Sequence, residues 1–289
     1  MPLTKQEWLS LEKKVYELRK LTLDTVHWAG SGHIGGGMSV LDMLTIIYHK
    51  YANIKLEDPE WADRDRVIVS KGHAGIAYAP VLVDLGWNDK EQLKTFNHTN
   101  SKMGIHLDSN KVEGVDFSTG SLGHGLSMAA GSGLAARVQG KNFKTFCILG
   151  DGECHEGSNW EAAMSIAHYN ISSVISFVDR NGCMIDGKTE DIMKLEPFVD
   201  KWKAFGFEVK DIDGNNFKEL AEAIDYAYDH PEKPVMIVAN TKKAEGIGFM
   251  EGDYVWHYGA VDENNFNKCH KALDEHYKKR VARAEKEGA

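Results

Sequence analysis

A carboxylate and an amide thirty residues apart give the first indication of chemistry in the sequence. Asp151 follows an apolar stretch at 145–149, and Asn181 comes shortly after a second apolar stretch at 173–178. The amphipathic segment 158–169 between them predicts a strand-helix-strand unit. Such units place parallel strands side by side, so their carboxyl ends open onto the same edge of the sheet. We therefore predict that Asp151 and Asn181 are neighbours in space.

This pair of oxygen-bearing side chains suits a hard divalent cation that also holds a diphosphate. Carboxylate and amide oxygens are ligands of Mg²⁺ and Ca²⁺, and Gly150 and Gly152 let an anion approach the backbone near a helix start. A dinucleotide-binding fold would also offer glycines here, but Asp151 would repel an unshielded pyrophosphate. The alternative is a strand-to-turn boundary with a solvated aspartate. Asn181 at the next strand end favours the metal site.

Histidines are the second source of chemistry. Thirteen are present, and four of them, His33, His73, His106 and His257, lie in loops that contain glycine. Imidazole transfers protons near neutral pH and hydrogen-bonds to sugar hydroxyls or phosphate oxygens. Taken singly, each of these histidines could instead be a surface or structural residue. As a group of loop residues they indicate a cleft that handles a polyol or a phosphate.

Together these motifs resemble those of the transketolase family. A G-D-G sequence followed about thirty residues later by Asn is similar to the thiamine diphosphate motif, and further similar segments lie at 31–35, 71–73 and 120–125. The resemblance covers nearly the whole chain. It departs from the family's G-P-L-G-Q-G turn at Ser121, which replaces proline, and at His124, which replaces glutamine. Neither departure breaks the turn, and we expect His124 to affect which substrates the pocket accepts.

The resemblance implies a set of cofactor contacts. Asp151, the Asn181 side chain and the Cys183 carbonyl would bind Mg²⁺ or Ca²⁺, and the Gly152 amide would contact the diphosphate of thiamine diphosphate. The residues expected to contact the cofactor are His73, Gly120, Leu122, Gly152, Asn181, Ile185 and His257. Among them, Leu122 and Ile185 would line the pocket of the thiazolium ring. On its own, Ile185 could equally be a core residue.

The resemblance also implies catalytic roles. His33 and His106 would contact substrate hydroxyls, whereas His73 and His257 would reach the diphosphate or the reacting carbon. Glu156 would lie at a subunit interface, hydrogen-bonded toward the partner's catalytic glutamate. Without the resemblance, Glu156 is most simply a favourable charge at a helix N-terminus.

The implied activity is shared between two chains. The resemblance covers only the diphosphate-binding domain of a transketolase, and we find no candidate for the pyrimidine-binding domain. It implies the N-terminal subunit of a split transketolase, which transfers a two-carbon ketol unit from a ketose or ketose phosphate to an aldose. A C-terminal subunit would complete an α2β2 heterotetramer. Two alternatives remain: a subunit of another thiamine enzyme, such as deoxyxylulose phosphate synthase or a 2-oxo-acid dehydrogenase, and a non-catalytic cofactor-binding scaffold.

Composition excludes several other classes of protein. The chain has 289 residues with 42% hydrophobic content, which suffices for one large α/β domain. A net charge of −9 argues against nucleic-acid binding. The sequence contains no run of 18 apolar residues, so it predicts no membrane-spanning helix. The four cysteines form no C-x-x-C pair, and no signal peptide is evident, so we expect a reduced, cytoplasmic protein.

The elements needed to position these residues alternate along the chain. Apolar β-branched runs predict strands at 67–69, 145–149, 173–178, 206–209 and 235–239. Helical spacing predicts a first helix after a capping box at Thr4. A break over 30–37 follows, and Ser39 is predicted to cap the second helix. Further helices are predicted at 158–169, 217–228 and 262–289, and the last of these is strongly charged. We predict one domain over 1–289, a doubly wound parallel α/β sheet with helices on both faces, as in the diphosphate domain of the thiamine diphosphate-binding fold.

Two further segments carry expectations. The stretch 118–136 combines a glycine-rich turn with a helix dense in Gly, Ala and Ser, which predicts close approach of another backbone, from a second copy or from the partner chain. The stretch 82–116 has little periodicity, and we expect loops beside the active site there.

Overall fold

Five parallel strands form a single sheet with helices packed on both faces. In the computed structural model, which describes residues 3–288, the strands are β1 (Arg66–Val69), β2 (Thr145–Gly150), β3 (Val174–Arg180), β4 (Glu208–Asp213) and β5 (Val235–Asn240). Their order across the sheet is β1-β2-β3-β5-β4, and every neighbouring pair is parallel. The doubly wound parallel α/β fold predicted from the sequence is confirmed.

The helices of the described chain enclose this sheet. They are α1 (Lys5–Ala29), α2 (Ile34–Ile46), α3 (Gly75–Asp84), α4 (Gly125–Val138), α5 (Gly157–His168), α6 (Thr189–Ile192), α7 (Phe198–Ala204), α8 (Phe217–Asp229) and α9 (Glu263–Glu287). The predicted capping box at Thr4 is present at the start of α1. Ala289, the last residue of the predicted charged helix, lies outside the described residues. Across residues 3–288, none of these helices combines the length and apolar character needed to cross a membrane.

Alternate residues along the central strands pack into two separate hydrophobic cores. In β2, Phe146 and Ile148 belong to the core that also contains residues of α1, α2, α3, α8 and α9, whereas Cys147 and Leu149 belong to the core shared with α4, α5 and α7. All residues of β2 are buried, as expected for a central parallel strand covered on both faces. Burial on both faces explains why the central strands read as short continuous apolar runs.

Among the five strands, the edge strand β4 has the least accurate predicted bounds. The stretch 206–209 marks only its start, because β4 begins at Glu208 and ends at Asp213. It pairs with β5 alone, and none of its residues is fully buried. Charged residues are common on edge strands, where they discourage pairing with other chains. They also hide the apolar alternation on which sequence prediction depends.

The predicted cap at Ser39 is wrong, because Ser39 lies inside α2. The predicted break over 30–37 is confined to a short turn, and α2 begins at Ile34. Its glycines serve packing: a Cβ on Gly37 would lie 2.9 Å from the Ile76 side chain. Ser39 instead donates a hydrogen bond to the buried Asp179 carboxylate at 2.5 Å. Ser39 therefore donates a hydrogen bond to an acid that is distant in sequence, and it does not cap a helix.

The stretch 82–116 combines regular and irregular structure. Its first three residues end α3, and Lys90–Thr95 forms a short 3-10 helix. The remainder lacks helices and strands and brings His106 to the carboxyl edge of the sheet. The expected position beside the candidate site is therefore observed.

Helix α4 uses its small residues mainly for packing within the chain. A Cβ on Gly125 would lie 2.2 Å from the Ser70 hydroxyl, and one on Gly133 would lie 2.4 Å from the Ile171 side chain. Gly131 is exposed, with nothing within 4 Å of its Cβ position. Close approach to other parts of this chain thus explains Gly125 and Gly133. Packing of this helix against another chain stays a prediction.

Gly125→Ala should destabilise the fold, whereas Gly131→Ala on the same helix should not. The first methyl group has no room, and overpacking costs about 1–3 kcal/mol. The second meets open space and removes glycine's entropy cost, a gain of about 0.5–1 kcal/mol. Urea unfolding followed by circular dichroism measures both. Equal stability of the two variants would show that α4 does not pack as described.

Candidate active site

A cleft of about 280 Å³ opens at the carboxyl ends of β1, β2, β3 and β5. It is lined by every residue proposed from the sequence for metal or cofactor binding and by the four loop histidines. These residues are His33, His73, His106, Gly120, Leu122, Asp151, Gly152, Asn181, Cys183, Ile185 and His257. Glu156 is not among the lining residues.

Asp151 is buried at the end of β2 and is held by hydrogen bonds from uncharged groups. The backbone amides of Gly152 and Gly182 donate to its two carboxylate oxygens, each at 2.8 Å, and the Thr189 hydroxyl donates at 3.2 Å. Among residues 3–288 it forms no ion pair. Burial, and secondly the nearby Asp179 carboxylate, raise the pKa of Asp151 above its usual range. A buried carboxylate in this state is stabilised by a bound cation.

Asn181 and Cys183 place two further oxygens in the same cleft. The Asn181 Oδ1 atom accepts a hydrogen bond from the Cys183 amide at 3.1 Å. The Cys183 carbonyl accepts one from the Lys243 ammonium at 3.2 Å. A carboxylate, an amide oxygen and a main-chain carbonyl form a donor set suited to a hard divalent cation. The carbonyl proposed as a metal ligand already faces a positive group.

The second buried carboxylate of the region, Asp179, is fully satisfied within the protein. Lys71 donates from its ammonium to Asp179 and, at 2.7 Å, to the Gly36 carbonyl. Ser39 and Thr241 donate their hydroxyls to the same carboxylate. Asp179 is therefore neutralised within the protein, whereas Asp151 has no ion-pair partner among the described residues. Lys71 was not identified as a site residue from the sequence, although a lysine directly after a buried strand could have indicated it.

Glu153 anchors the glycine-rich turn at 120–125. Its carboxylate accepts hydrogen bonds from the Ser70 hydroxyl, from the Gly123 amide at 2.9 Å and from the Gly150 amide at 3.0 Å. Burial raises the pKa of Glu153 above its usual range. Sequence reasoning missed this residue because two of its three partners, Ser70 and Gly123, are distant in the chain. Its role is to hold the turn that brings Gly120 and Leu122 to the cleft.

Three of the four histidines pack against one another. The ring centroid of His33 lies 5.1 Å from that of His73 and 5.4 Å from that of His257. His106 packs against the glycine-rich turn, where a Cβ on Gly120 would lie 2.8 Å from its ring. The structure thus gathers on one wall four residues spread over more than two hundred positions of sequence.

Burial keeps these imidazoles neutral. It lowers the pKa of His33 to about 4, that of His73 to about 2 and that of His257 to about 3. The neighbouring ammonium of Lys71 lowers all three pKa values further. At neutral pH the rings therefore act as hydrogen-bonding groups. An anion bound beside them would favour their protonated forms.

Lys243 fixes the tautomer of His257. Its ammonium donates to the Nδ1 atom of His257 at 2.8 Å, so the proton of the neutral ring lies on Nε2. Burial lowers the pKa of Lys243 to about 8. Lys243 is a site residue that the sequence reasoning missed. The signal was a pair of lysines shortly after the apolar strand β5.

Two other sequence proposals lie at the margin of the cleft. Ile185 lines the cleft yet is 65% exposed, so the alternative that it is a core residue is wrong. Glu156 directly precedes α5 and is exposed, with its side chain against the glycine-rich turn. Its position at a helix N-terminus agrees with a favourable charge-dipole interaction. Its interface role stays a prediction.

The fold and this cleft define a thiamine diphosphate-binding α/β domain, and comparison with known families identifies it further. The family model described as transketolase, thiamine diphosphate binding domain, matches residues 11–285. The chain therefore belongs to the transketolase family, as its motifs had indicated.

Relatives of two sizes are similar to this chain. It is 38% identical over 284 residues to the 6-deoxy-6-sulfo-D-fructose transketolase subunit of Clostridium sp. (strain MSTE9), covering 98% of this chain and 99% of that protein. It is 34% identical to an apulose-4-phosphate transketolase subunit of Phocaeicola vulgatus, covering 96% and 97%. For the transketolase of Bacillus subtilis the identity is 32%, covering 83% of this chain and 37% of that protein.

Solved transketolase structures share the fold. A transketolase from Campylobacter jejuni superposes with a TM-score of 0.85 at 29% identity, covering 91% of this chain and 42% of that one. A transketolase variant from Pichia stipitis gives a TM-score of 0.86 at 26% identity, covering 96% and 45%. This chain corresponds to less than half of each of these enzymes.

Asp151→Ala should abolish metal-dependent binding of thiamine diphosphate. The variant removes the buried carboxylate that has no cationic partner in the described structure, so the cation has no anchor. Calorimetric titration with the cofactor, with and without Mg²⁺, measures the effect. Asp186→Ala, which changes an exposed acid close to the cleft, should bind as the unmodified chain does. Unchanged affinity in Asp151→Ala would refute the assignment.

The buried histidines should make the fold sensitive to acid. The unfolded chain protonates His73 near pH 6.5, but the folded chain, with a pKa of about 2, does not. The free energy of unfolding should therefore fall as pH drops below 6.5, by about 1.4 kcal/mol per pH unit for this group. His73→Gln should lessen that slope in denaturation measured between pH 7 and 4.

The matched control is His168→Gln, at the exposed end of α5. Its imidazole contacts water in the folded and unfolded states, so the variant should follow the unmodified chain. If the stability of His73→Gln showed the same pH dependence as that of the unmodified chain, His73 would not be a desolvated neutral ring.

Proposed function

We propose that this chain is the diphosphate-anchoring subunit of a two-subunit transketolase. The observation that carries the proposal is the buried Asp151 carboxylate, which has no cationic partner among the described residues and lies with Asn181 at adjacent strand ends. It is supported by relatives of the same length whose names describe them as transketolase subunits.

The cleft offers matched groups for each part of thiamine diphosphate. Asp151, the Asn181 side chain and the Cys183 carbonyl would hold Mg²⁺ or Ca²⁺. Lys71 and Lys243, both 1% exposed, bring positive charge toward a diphosphate. When bound, the cofactor would supply the nucleophilic carbon needed for transfer of a two-carbon unit. The protein's contribution is to anchor, orient and dehydrate it.

The apolar and imidazole walls divide the remaining work. Leu122 and Ile185 line the cleft and would present apolar surface to the thiazolium ring. His33 and His106 would hydrogen-bond to substrate hydroxyls, which suits neutral rings that both donate and accept. His257, whose Nε2 carries the proton, would donate toward the diphosphate or the reacting centre. His73 would contribute beside it.

A partner subunit would close the open side of the cleft. Ile185 and Val255 are 65% and 64% exposed, and Phe249 and Tyr258 are 48% and 45% exposed. Ile185 lines the cleft and the Tyr258 ring packs against that of His33, and exposed apolar side chains at such a place favour a binding interface. The C-terminal transketolase subunit, with its pyrimidine-binding domain, is the proposed cover in an α2β2 assembly. The exposed Glu156 is proposed to contact that partner's catalytic glutamate.

The proposed donor is a ketose that carries an anionic group. The names of two relatives specify 6-deoxy-6-sulfo-D-fructose and apulose-4-phosphate, a sulfonated and a phosphorylated sugar. The acceptor is an aldose. Ordinary pentose phosphates belong in the same test panel, because the described cleft contains the cofactor groups rather than a complete sugar site.

The chain alone should show no ketol transfer and should gain it when mixed with the C-terminal subunit. Both ends of the cofactor must be held, and the thiazolium must be shielded from water for charge stabilisation to be effective. The assay contains purified chain, thiamine diphosphate, Mg²⁺, an aldose acceptor and each donor in turn, with and without the partner.

The control mixes the partner with Asp151→Asn, which should remain inactive while the isolated partner is unchanged. Full activity of this chain without a partner would contradict the two-subunit proposal. Cofactor binding without any transfer in the complete mixture would favour the non-catalytic scaffold.

A further inference from the structure

A second cluster of metal-ligating side chains lies where the loop after β5 meets α9. Glu245 and Glu251 belong to the loop, and His276 belongs to α9. One ligand atom from each lies within 4.8 Å of the other two. Among residues 3–288, this is the group of three carboxylate, imidazole or thiol side chains with that spacing. None of the three lines the candidate active site.

Two atoms of this cluster are buried without a hydrogen bond. Glu245 is 3% exposed, and its Oε2 atom has no hydrogen-bond partner among the described residues. The Nε2 atom of His276 lies 3.3 Å from the other Glu245 oxygen but is not aligned for a hydrogen bond. Buried polar atoms in native proteins almost always have partners. Here the Glu245 Oε2 atom and the His276 Nε2 atom are both buried without a partner, and they lie in the same cluster. We take this as a sign that a group able to accept their electron pairs, such as a metal ion, binds between them.

The nearby positive charges are already neutralised. Arg19 pairs with Asp42, and Arg280 pairs with both Asp42 and Glu12. Neither arginine forms an ion pair with Glu245 among the described residues, although the Nε atom of Arg19 and the Nη1 atom of Arg280 are buried without a hydrogen-bond partner. The carboxylates that these arginines pair with are Asp42 and Glu12, and not the two acids of the cluster.

Glu251 has weaker competitors. Its Oε1 atom accepts the Gly246 amide at 3.1 Å, and its Oε2 atom lies 3.6 Å from the Lys242 ammonium. The Lys242 side chain is 65% exposed and free to turn into water. Surface ion pairs of this kind contribute little, about 0–1 kcal/mol. A divalent ion would displace the ammonium at low cost.

We propose that Glu245, Glu251 and His276 bind one Zn²⁺, or a first-row divalent ion of the same ligand preference, outside the active-site cleft. Imidazole nitrogen and carboxylate oxygen are both ligands of Zn²⁺, and water would take the fourth position beside these three side chains. Mg²⁺ and Ca²⁺ favour oxygen-only sites, so the imidazole selects against them.

The ion would tie α9 to the loop that carries Lys243. Lys243 is two residues before Glu245, and its carbonyl accepts the amide of Gly252, the neighbour of Glu251, at 3.0 Å. Both carboxylates are thus coupled through short chain segments to a lysine of the cleft. Binding should stabilise the folded chain, because an ion that binds only the folded state raises its stability.

The test uses the full chain carrying Asp151→Asn, so that the proposed cofactor metal site does not contribute. Zn²⁺ is titrated in competition with a chromophoric chelator, without thiamine diphosphate. We expect one ion per chain, no comparable binding of Mg²⁺, and a rise in Tm with Zn²⁺. Co²⁺ should give a visible spectrum with intensity typical of low coordination number. Absence of stoichiometric Zn²⁺ binding would overturn the proposal.

Adding His276→Asn to this background should weaken Zn²⁺ binding by about tenfold or more, as for loss of a direct or supporting metal interaction. Glu251→Gln changes the more accessible carboxylate, 22% exposed, and keeps the test valid if His276→Asn fails to fold. The matched control is His270→Asn on the same helix, which should bind Zn²⁺ as its parent does. Equal affinity in a folded Glu251→Gln variant and its parent would also overturn the proposal.

Discussion

The buried ion pair between Lys71 and Asp179 is the interaction on which the site depends. Lys71 follows β1 and Asp179 lies in β3, so the pair spans the carboxyl end of β2 between them. Ser39 of α2 and Thr241 after β5 complete the hydrogen bonding of the carboxylate. A buried pair is tolerated only when its geometry and hydrogen bonds are complete, and removing one partner costs about 3–5 kcal/mol. One carboxylate thus holds four elements in register beneath the cleft.

This pairing also separates the roles of two acids that look alike in sequence. Asp179 and Asp151 are both buried at strand ends, but only Asp179 has a lysine partner in the described structure. Asp151 is left with amide and hydroxyl donors, which orient its oxygens without neutralising them. Asp179 is neutralised by a lysine, whereas Asp151 has no ion-pair partner among the described residues. The proposal of a cation site at Asp151 rests on this distribution of the lysines.

The loop after β5 links the cleft to the rest of the molecule. It supplies Lys243, which contacts the Cys183 carbonyl and His257, and it also supplies the carboxylates that face α9. One charge of α9 has a structural role, because its buried Arg280 pairs with acids of α1 and α2. One loop thus contacts both α9 and the lysine and histidine wall of the cleft.

Local patterns in the chain were sufficient to predict much of the fold and the cleft. Parallel strands joined by a helix necessarily bring their carboxyl ends together, so Asp151 and Asn181 were predictable neighbours, and glycine-containing loops located the four histidines. Lys71, Glu153 and Lys243 were not predictable in the same way, because each is defined by partners far away in sequence, such as Asp179 for Lys71 and Gly123 for Glu153. The role of Ser39 likewise depends on an acid 140 residues away, whereas its local context indicated a helix cap. Periodicity and turn residues report which elements form. The tertiary structure decides which buried charge is paired and which is left open, because that depends on long-range packing, desolvation and distance.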